Sequence, residues 1–349
     1  MNYNTKFESN RPTCVGIGLV ALDVLFNGKP STPLGFYAGG SCGNVMTILS
    51  FLGWEAYPIA RLRNNEAGNI LLKDLEHFGV NNSLISSEQD GSTPIIIHRI
   101  LKDRAGNPKH RFEFRDPETG SYLPSYKPVL SACVDSIFQT QPKSNVFYLD
   151  RVNRASIEMA KKCKSQNALI FFEPSSFKDD KNHDECLSYA DVVKFSSERI
   201  SNYQEKFPVC TRELEVMTKG SEGLVYRLHN QKTWTHIDAY TISSVVDAAG
   251  SGDWCTAGLI HGIFNRSKGT IDITDKVVEG ALEFGQALAA LNCCFMGARG
   301  VMYALKKEVL LEAATDMLSL KKNAGDLCHN FREFKPQRIS DEVSIAALY

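Results

Sequence analysis

The 349-residue chain predicts an α/β fold, a mostly parallel sheet covered by helices, and three observations carry that expectation. Short runs rich in β-branched and aromatic residues alternate with segments of helical apolar spacing through most of the length. Glycine-rich turns follow two of the strand-like runs and lead straight into helices. The composition, 43% hydrophobic and 23% charged, is that of a globular chain long enough to bury a large core in one large domain or two ordinary ones.

Residues 13–20 (TCVGIGLV) form a buried-strand type of run, with Asp23 just past its end. Gly16, Gly18 and Ala21 match GxGxxA, but a dinucleotide fingerprint needs a helix next, and LDVLFNGKP is none. Asp23 is instead a candidate for binding a hydroxyl-rich ligand. Gly39 and Gly40 then precede a helical pattern at Val45, Ile48, Leu49 and Leu52 that closes at Gly53; Asn44 offers both a donor and an acceptor there. Residues 55–60 read as a strand and 70–78 as an amphipathic helix. Residues 93–100 and 110–115, separated by a charged turn with Gly106 and Pro108, read as an antiparallel hairpin. Its cations Arg99, Lys102, Arg104, Lys109, Arg111 and Arg115 are expected on a solvated face.

Strand-like segments at 146–149, 168–172, 191–195, 213–218 and 224–228 follow, with a helix near 156–164. After Asp275 a core helix carries Val278, Ala281, Leu282, Gly285 and Leu288 on one face. From about Lys306 the composition turns polar, and the last twenty or so residues are expected to pack loosely.

Charge and spacing exclude several classes. Lys plus Arg is 39 against Asp plus Glu 40, so no global field attracts nucleic acid or a membrane surface. No run is apolar for long enough to span a bilayer. The start, MNYNTKFESN, lacks the apolar core of a signal peptide, and the ten cysteines are scattered, which together predict reduced thiols in a cytoplasmic protein. The eight histidines show no HxH or HxxxH spacing for a transition metal.

The chemistry concentrates in residues 245–264, VVDAAGSGDWCTAGLIHGIF. Two β-branched residues precede Asp247; Gly250 and Gly252 bracket Ser251; Asp253 then falls in the first turn of a helix. Such a turn aims several N–H groups at one point and, with the helix dipole, makes an anion site. An acid beside an anion site is explained if it takes a proton from a hydroxyl that attacks a phosphoryl group held by the amides.

Residues 247–253, Asp-Ala-Ala-Gly-Ser-Gly-Asp, resemble the Asp-Thr-X-Gly-Ala-Gly-Asp signature of the ribokinase-like, or PfkB-type, carbohydrate kinases. Residues 39–53 are similar to that family's N-terminal Gly-Gly signature, residues 218–223 to its Thr-X-Gly-X-X-Gly segment, and Glu173-Pro174 to its Asp-Pro-Asn. The resemblance covers residues 15 to about 304. It implies a three-layer α/β/α sandwich with a central, mostly parallel sheet and a small β-lid formed by segments near 30–38 and 94–115. It implies a kinase domain over 1–305, followed by a helical, polar extension over 306–349. It further implies ATP and Mg²⁺, with transfer to a hydroxyl of a sugar or sugar-like molecule. By the same resemblance Asp253 would be the base, with the amides of Gly250, Ser251 and Gly252 stabilising the γ-phosphoryl group. Asp23, Gly39, Gly40 and Asn44 would hold the sugar, Thr218, Gly220, Gly223 and Asp247 would line the nucleotide site, and the lid would supply a homodimer contact.

Two departures stand out. Where the family has Asn-X-X-Glu to place magnesium through water, this chain reads Phe-Ser-Ser-Glu-Arg, leaving Glu198 as a displaced substitute. Arg61 and Arg63 replace a Gly-Asp-Asp stretch, which raises an acidic acceptor as an expectation. A non-catalytic sugar or nucleotide binder and a nucleoside kinase are the competing readings; the intact Gly-X-Gly-Asp argues against the binder.

Overall fold

A computed structural model describes residues 11–28, 33–102, 108–178, 180–242, 245–265, 267–320 and 345–349. The start of the chain, the tip of the hairpin with Arg104, part of the first lid segment and most of the polar extension lie outside these.

In chain order the elements are β1 (Thr13–Ile17), β2 (Ala21–Asn27), β3 (Gly35–Gly39), α1 (Ser41–Phe51), β4 (Glu55–Arg63), α2 (Glu66–His77), β5 (Ile85–Glu88), β6 (Ile95–Lys102) and β7 (Pro108–Glu113). Then come α3 (Val134–Thr140), β8 (Val146–Leu149), α4 (Arg154–Ser165), β9 (Leu169–Phe172), α5 (Lys181–Tyr189), β10 (Val192–Ser196), α6 (Tyr203–Lys206), β11 (Leu214–Thr218), β12 (Leu224–Leu228) and β13 (Thr235–Ile237). The chain closes with α7 (Ser251–Ile263), β14 (Phe264–Asn265), β15 (Thr270–Ile271), α8 (Asp275–Asn292), α9 (Gly300–Ala304) and α10 (Lys307–Leu320).

Nine strands form one sheet in the order β13-β12-β11-β10-β9-β8-β1-β4-β5. All neighbours are parallel except β12 with its two partners. The strands read as continuous apolar runs because both faces are covered. Val146 and Tyr148 of β8 join a core shared with α1, α2, α7, α8 and α10; Phe147 and Leu149, pointing the other way, join a second core with α4, α5 and α6. That is the expected three-layer sandwich.

Strand order reverses beside β1, whose neighbours are β4 and β8, so the crevice at the carboxyl ends of these strands is where a ligand belongs. Over that crevice lies a four-stranded sheet, β3-β2-β6-β7, in which β6 and β7 are the expected antiparallel hairpin. Asp23 is not in a turn after β1 but inside β2, paired with Tyr37 and Ile96; a bend at Gly18 ends β1 sooner than its apolar run suggests.

The face of this sheet carrying Leu22, Val24, Phe26, Phe36 and Ile97 packs into the core. The other face carries Asp23, Leu25, Tyr37 and His98 toward the crevice. Phe112, Phe114 and Tyr122 are exposed at its margin. Arg99 sits on the core-side face, paired with Glu113 at 3.1 Å and stacked 4.5 Å over Phe26; Arg111 also reaches Glu113, and Arg115 stacks on Tyr122.

The carboxyl-terminal part begins with a helix, as expected, but the described residues of its last twenty are packed rather than loose. Helix α10 contributes Leu310, Ala314 and Met317 to the core, and Ile345 and Leu348 are buried in it as well, while the Tyr349 hydroxyl donates to Asp116 at 3.0 Å. The nine described cysteines are free thiols. Among the described residues no helix is long and apolar enough to cross a membrane.

Candidate active site

Helix α7 begins at Gly250, whose φ of 73° is left-handed. A Cβ at Gly250 would lie 2.2 Å from the Ala298 carbonyl oxygen, so no other residue fits the turn. Asp247 pins the turn from below, its two oxygens accepting from the N–H groups of Ala249 and Gly297 at 2.8 Å each. It is wholly buried, with His98 at 3.8 Å, and so holds the loop rather than facing a nucleotide. The Ser251 N–H turns back on the Ala248 carbonyl at 3.3 Å. The N–H groups of Gly250, Gly252 and Asp253 have no partner among the described residues, and these three, not the expected Gly250, Ser251 and Gly252, are the donors left at the positive end of the helix.

Asp253 stands beside them and is crowded by acids. Burial first, then the nearby Glu173, pushes its pKa up to about 8; Asn44 and Lys194 act in the opposite sense. Asn44 donates its amide Nδ2 to Asp253 Oδ2 at 2.7 Å. Lys194, buried on β10, bonds Glu173 at 2.6 Å and the Gly252 carbonyl at 3.1 Å. Burial works against the Lys194 charge, but Glu173, together with Cys255 and Asp253, offsets it and raises its pKa. Glu173 also accepts from Thr256 at 2.7 Å and Tyr148 at 3.1 Å.

Asp150, at the end of β8, accepts from the Leu19 N–H and from Arg151, each at 2.9 Å, and burial raises it to about 6. Asp23 faces the crevice from the four-stranded sheet, raised to about 7 by burial, with Arg299 pulling the other way. Gly39 lets it stand there, since a Cβ would come within 2.5 Å of the whole carboxyl group. Gly40 turns the chain into α1 and brings Asn44 round to α7. A cavity is lined by Asp23, Tyr37, His98, Gly297, Arg299 and Tyr303.

Thr218, Gly220 and Gly223 lie further along the same crest, in the bend between β11 and β12. Glu198, exposed in the turn after β10, reaches over that bend, its Oε1 3.9 Å from where a Cβ on Gly220 would stand. Arg61 is not available to an acceptor, because its guanidinium is bound to Asp90 at 2.9 Å and to the Pro128 carbonyl at 3.3 Å. Arg63 is exposed at the end of β4.

Three residues at this site escaped the sequence reading. Lys194 had a signal, a lone cation in the apolar run VVKF, because a fully buried lysine needs a partner. Asp150 had one too, an acid at the carboxyl end of a strand. Arg299 had none: its contacts, Asn44 and Asp74, lie 255 and 225 residues away in sequence.

The family model of pfkB carbohydrate kinases matches residues 27–305. An ATP-dependent 6-phosphofructokinase from Thermoanaerobacterium thermosaccharolyticum is 23% identical over 330 residues, covering 85% of this chain and 93% of that one. The structure of Arabidopsis thaliana ribokinase complexed with ribose and ATP superposes with a TM-score of 0.64 at 17% identity, covering 87% of this chain and 99% of that one. A Burkholderia thailandensis nucleoside kinase in complex with inosine also reaches 0.64, at 15% identity and over 88% and 97% of the two chains.

Proposed function

The chain belongs to the pfkB family of carbohydrate kinases, and we propose that it moves the γ-phosphoryl group of ATP to a hydroxyl of a sugar or sugar-like molecule with Asp253 as base. The observation that carries this is the juxtaposition of a raised, hydrogen-bonded Asp253 with three unpartnered N–H groups at one helix start. Asp253 takes the acceptor's proton, the freed oxygen forms a bond to the γ-phosphorus, and the bond from that phosphorus to the bridging oxygen breaks, leaving ADP. The N–H groups of Gly250, Gly252 and Asp253 offset charge on the transferring group, whose loose transition state needs position and countercharge more than covalent help. Asp23 and Asn44 orient the acceptor under the lid, and Thr218, Gly220 and Gly223 line the path of the nucleotide.

Magnesium fits as an ion carried by the nucleotide. Among the described residues no three acidic, histidine or cysteine side chains converge to cage a metal, and Mg²⁺ commonly keeps its waters and binds phosphates plus one or two carboxylates. Glu198 would be the residue to contact those waters, and the ion would supply countercharge to the phosphates. Glu198→Gln should therefore raise the Mg²⁺ concentration for half-maximal rate several-fold; an unchanged magnesium titration removes Glu198 from this role.

ADP release with ribose, fructose, fructose 6-phosphate and inosine tests the assignment, and no turnover with any sugar or nucleoside panel would overturn it. The cavity beside Asp23 offers hydroxyl-binding groups, so a neutral acceptor is expected, with Arg63→Ala leaving the preference unchanged. An anionic acceptor is the second reading. It is favoured by a cavity of about 150 Å³ where Arg151, Lys178 and His183 stand beside Asp150. A tenfold preference for fructose 6-phosphate over fructose that Lys178→Ala abolishes would establish it, the discrimination expected of one charge-assisted hydrogen bond of about 1.5 to 3 kcal/mol.

A further inference from the structure

Arg299 lies in the loop after α8, 2% exposed, yet it is tied to four other parts of the fold. Its Nη2 bonds Asp74 of α2 at 2.8 Å, the Ala38 carbonyl of β3, and the Tyr303 hydroxyl at 3.2 Å. Its Nε donates to Asn44 Oδ1 at 3.1 Å. Asp74, 3% exposed, is in turn held by Tyr303 at 2.8 Å and by the Ala38 N–H at 2.7 Å. A chain of direct contacts therefore runs from Asp74 through Arg299 and Asn44 to Asp253.

The chemistry of its members gives this chain a direction. An asparagine amide has a donor end and an acceptor end, and either could face a neighbour. A guanidinium has donors only. With Arg299 on one side, the amide oxygen of Asn44 must face it, and the NH₂ group must face Asp253. The reverse setting would place an oxygen against a carboxylate. We propose that Arg299 is a positioning residue for the phosphoryl transfer: it fixes the Asn44 amide so that Asn44 grips the carboxyl group of Asp253 and favours its ionised, reactive form. This rests on the reading of Asp253 as base.

The other groups facing Asp253 come from every neighbouring element. Glu173 after β9 and Asp150 after β8 oppose its ionisation, and Lys194 of β10 favours it. Tyr148 of β8 and Cys42 of α1 also lie within its field. Asn44 is the only one among those named in its pKa shift that hydrogen-bonds the carboxyl group directly, so losing its orientation should tell.

A cycle of Arg299→Lys, Asn44→Ala and the double variant tests the proposal. Lysine keeps a charge opposite Asp74 but cannot bond both Asp74 and Asn44 in the fixed fork of an arginine. The first readout needs no acceptor: the ¹³C carboxyl signal of Asp253 is followed as pH is stepped. Its midpoint should move up in each single variant and no further in the double than in Asn44→Ala. The second is kcat with ATP and ribose or fructose 6-phosphate, expected to fall about tenfold in each single variant without multiplying. A midpoint unmoved by Arg299→Lys, or effects that multiply, overturns the proposal, since a merely structural arginine would leave the titration alone. Should Arg299→Lys fail to fold, Asp74→Asn combined with Arg299→Gln enters the same cycle, because glutamine fills the site without forcing the amide's direction. Wild-type turnover in Asp253→Asn would remove the base and leave the titration result standing, so the two failures are distinguishable.

Discussion

Asp253→Asn should lower phosphoryl transfer by roughly 10²- to 10⁴-fold, the contribution of a positioned base, while ATP affinity stays within a few-fold. The same substitution should make the protein more stable at pH 8. Asp253 has its pKa raised in the fold from 3.8 to about 8, so between those values the folded state holds a proton that the unfolded chain has released. The burden this places on the fold grows as pH rises from about 4 and is complete above about 8. Asparagine cannot ionise, so its advantage should vanish near pH 4 and reach at least ~2 °C in Tm at pH 8. For the wild type the same shift has the opposite consequence for rate: kcat/KM should rise with pH through an acid limb near 8, where the free enzyme's carboxyl becomes a base. Unchanged turnover in the variant, or a Tm gain independent of pH, would contradict the assignment.

The fold was legible because its strands are short apolar runs punctuated by glycine turns, and a fully buried parallel sheet leaves no other way to read them. The turn at residues 247–253 was legible for a similar reason, because the positive φ at Gly250 is a backbone requirement that a glycine in the sequence announces, even though the Ala298 carbonyl that also excludes a Cβ there is not local. Asp247 shows where local reading stops. The motif marks it as important, but whether its oxygens face a ligand or the Gly297 N–H depends on a loop fifty residues on. Asp23, which the sequence singles out as an acid, lines the cavity, although its strand was not legible, since an acid followed by Val-Leu-Phe satisfies either a turn or a half-covered strand. Arg61 and Arg63 differ only in what the rest of the chain brings to them: Asp90 meets Arg61, so its charge is satisfied within the fold. The cost of burying a charge guarantees a partner for Lys194 and Arg299, but spacing along the chain cannot say which.

Lys194 is the partner whose removal should be felt most widely. Its Nζ donates to the Gly252 carbonyl, which belongs to the same peptide unit as the Asp253 N–H, so the contact polarises one of the three donors left at the start of α7, which we propose hold the phosphoryl group. It also neutralises Glu173, the acid whose field raises Asp253. Lys194→Met should therefore reduce kcat roughly 10²-fold, the loss typical of one oxyanion-hole donor. It should also destabilise the fold by roughly 1 to 3 kcal/mol, because the partly buried Glu173 loses its charge partner and keeps only Thr256 and Tyr148. Adding Glu173→Gln removes that charge, so the double variant should regain most of the lost stability. It should not regain the rate, because no cation then stands behind Gly252 and the Asp253 N–H. Thermal melts and initial rates of the two variants separate these effects: recovery of wild-type turnover in Lys194→Met with Glu173→Gln would reduce Lys194 to a counter-ion of Glu173 with no part in holding the phosphoryl group.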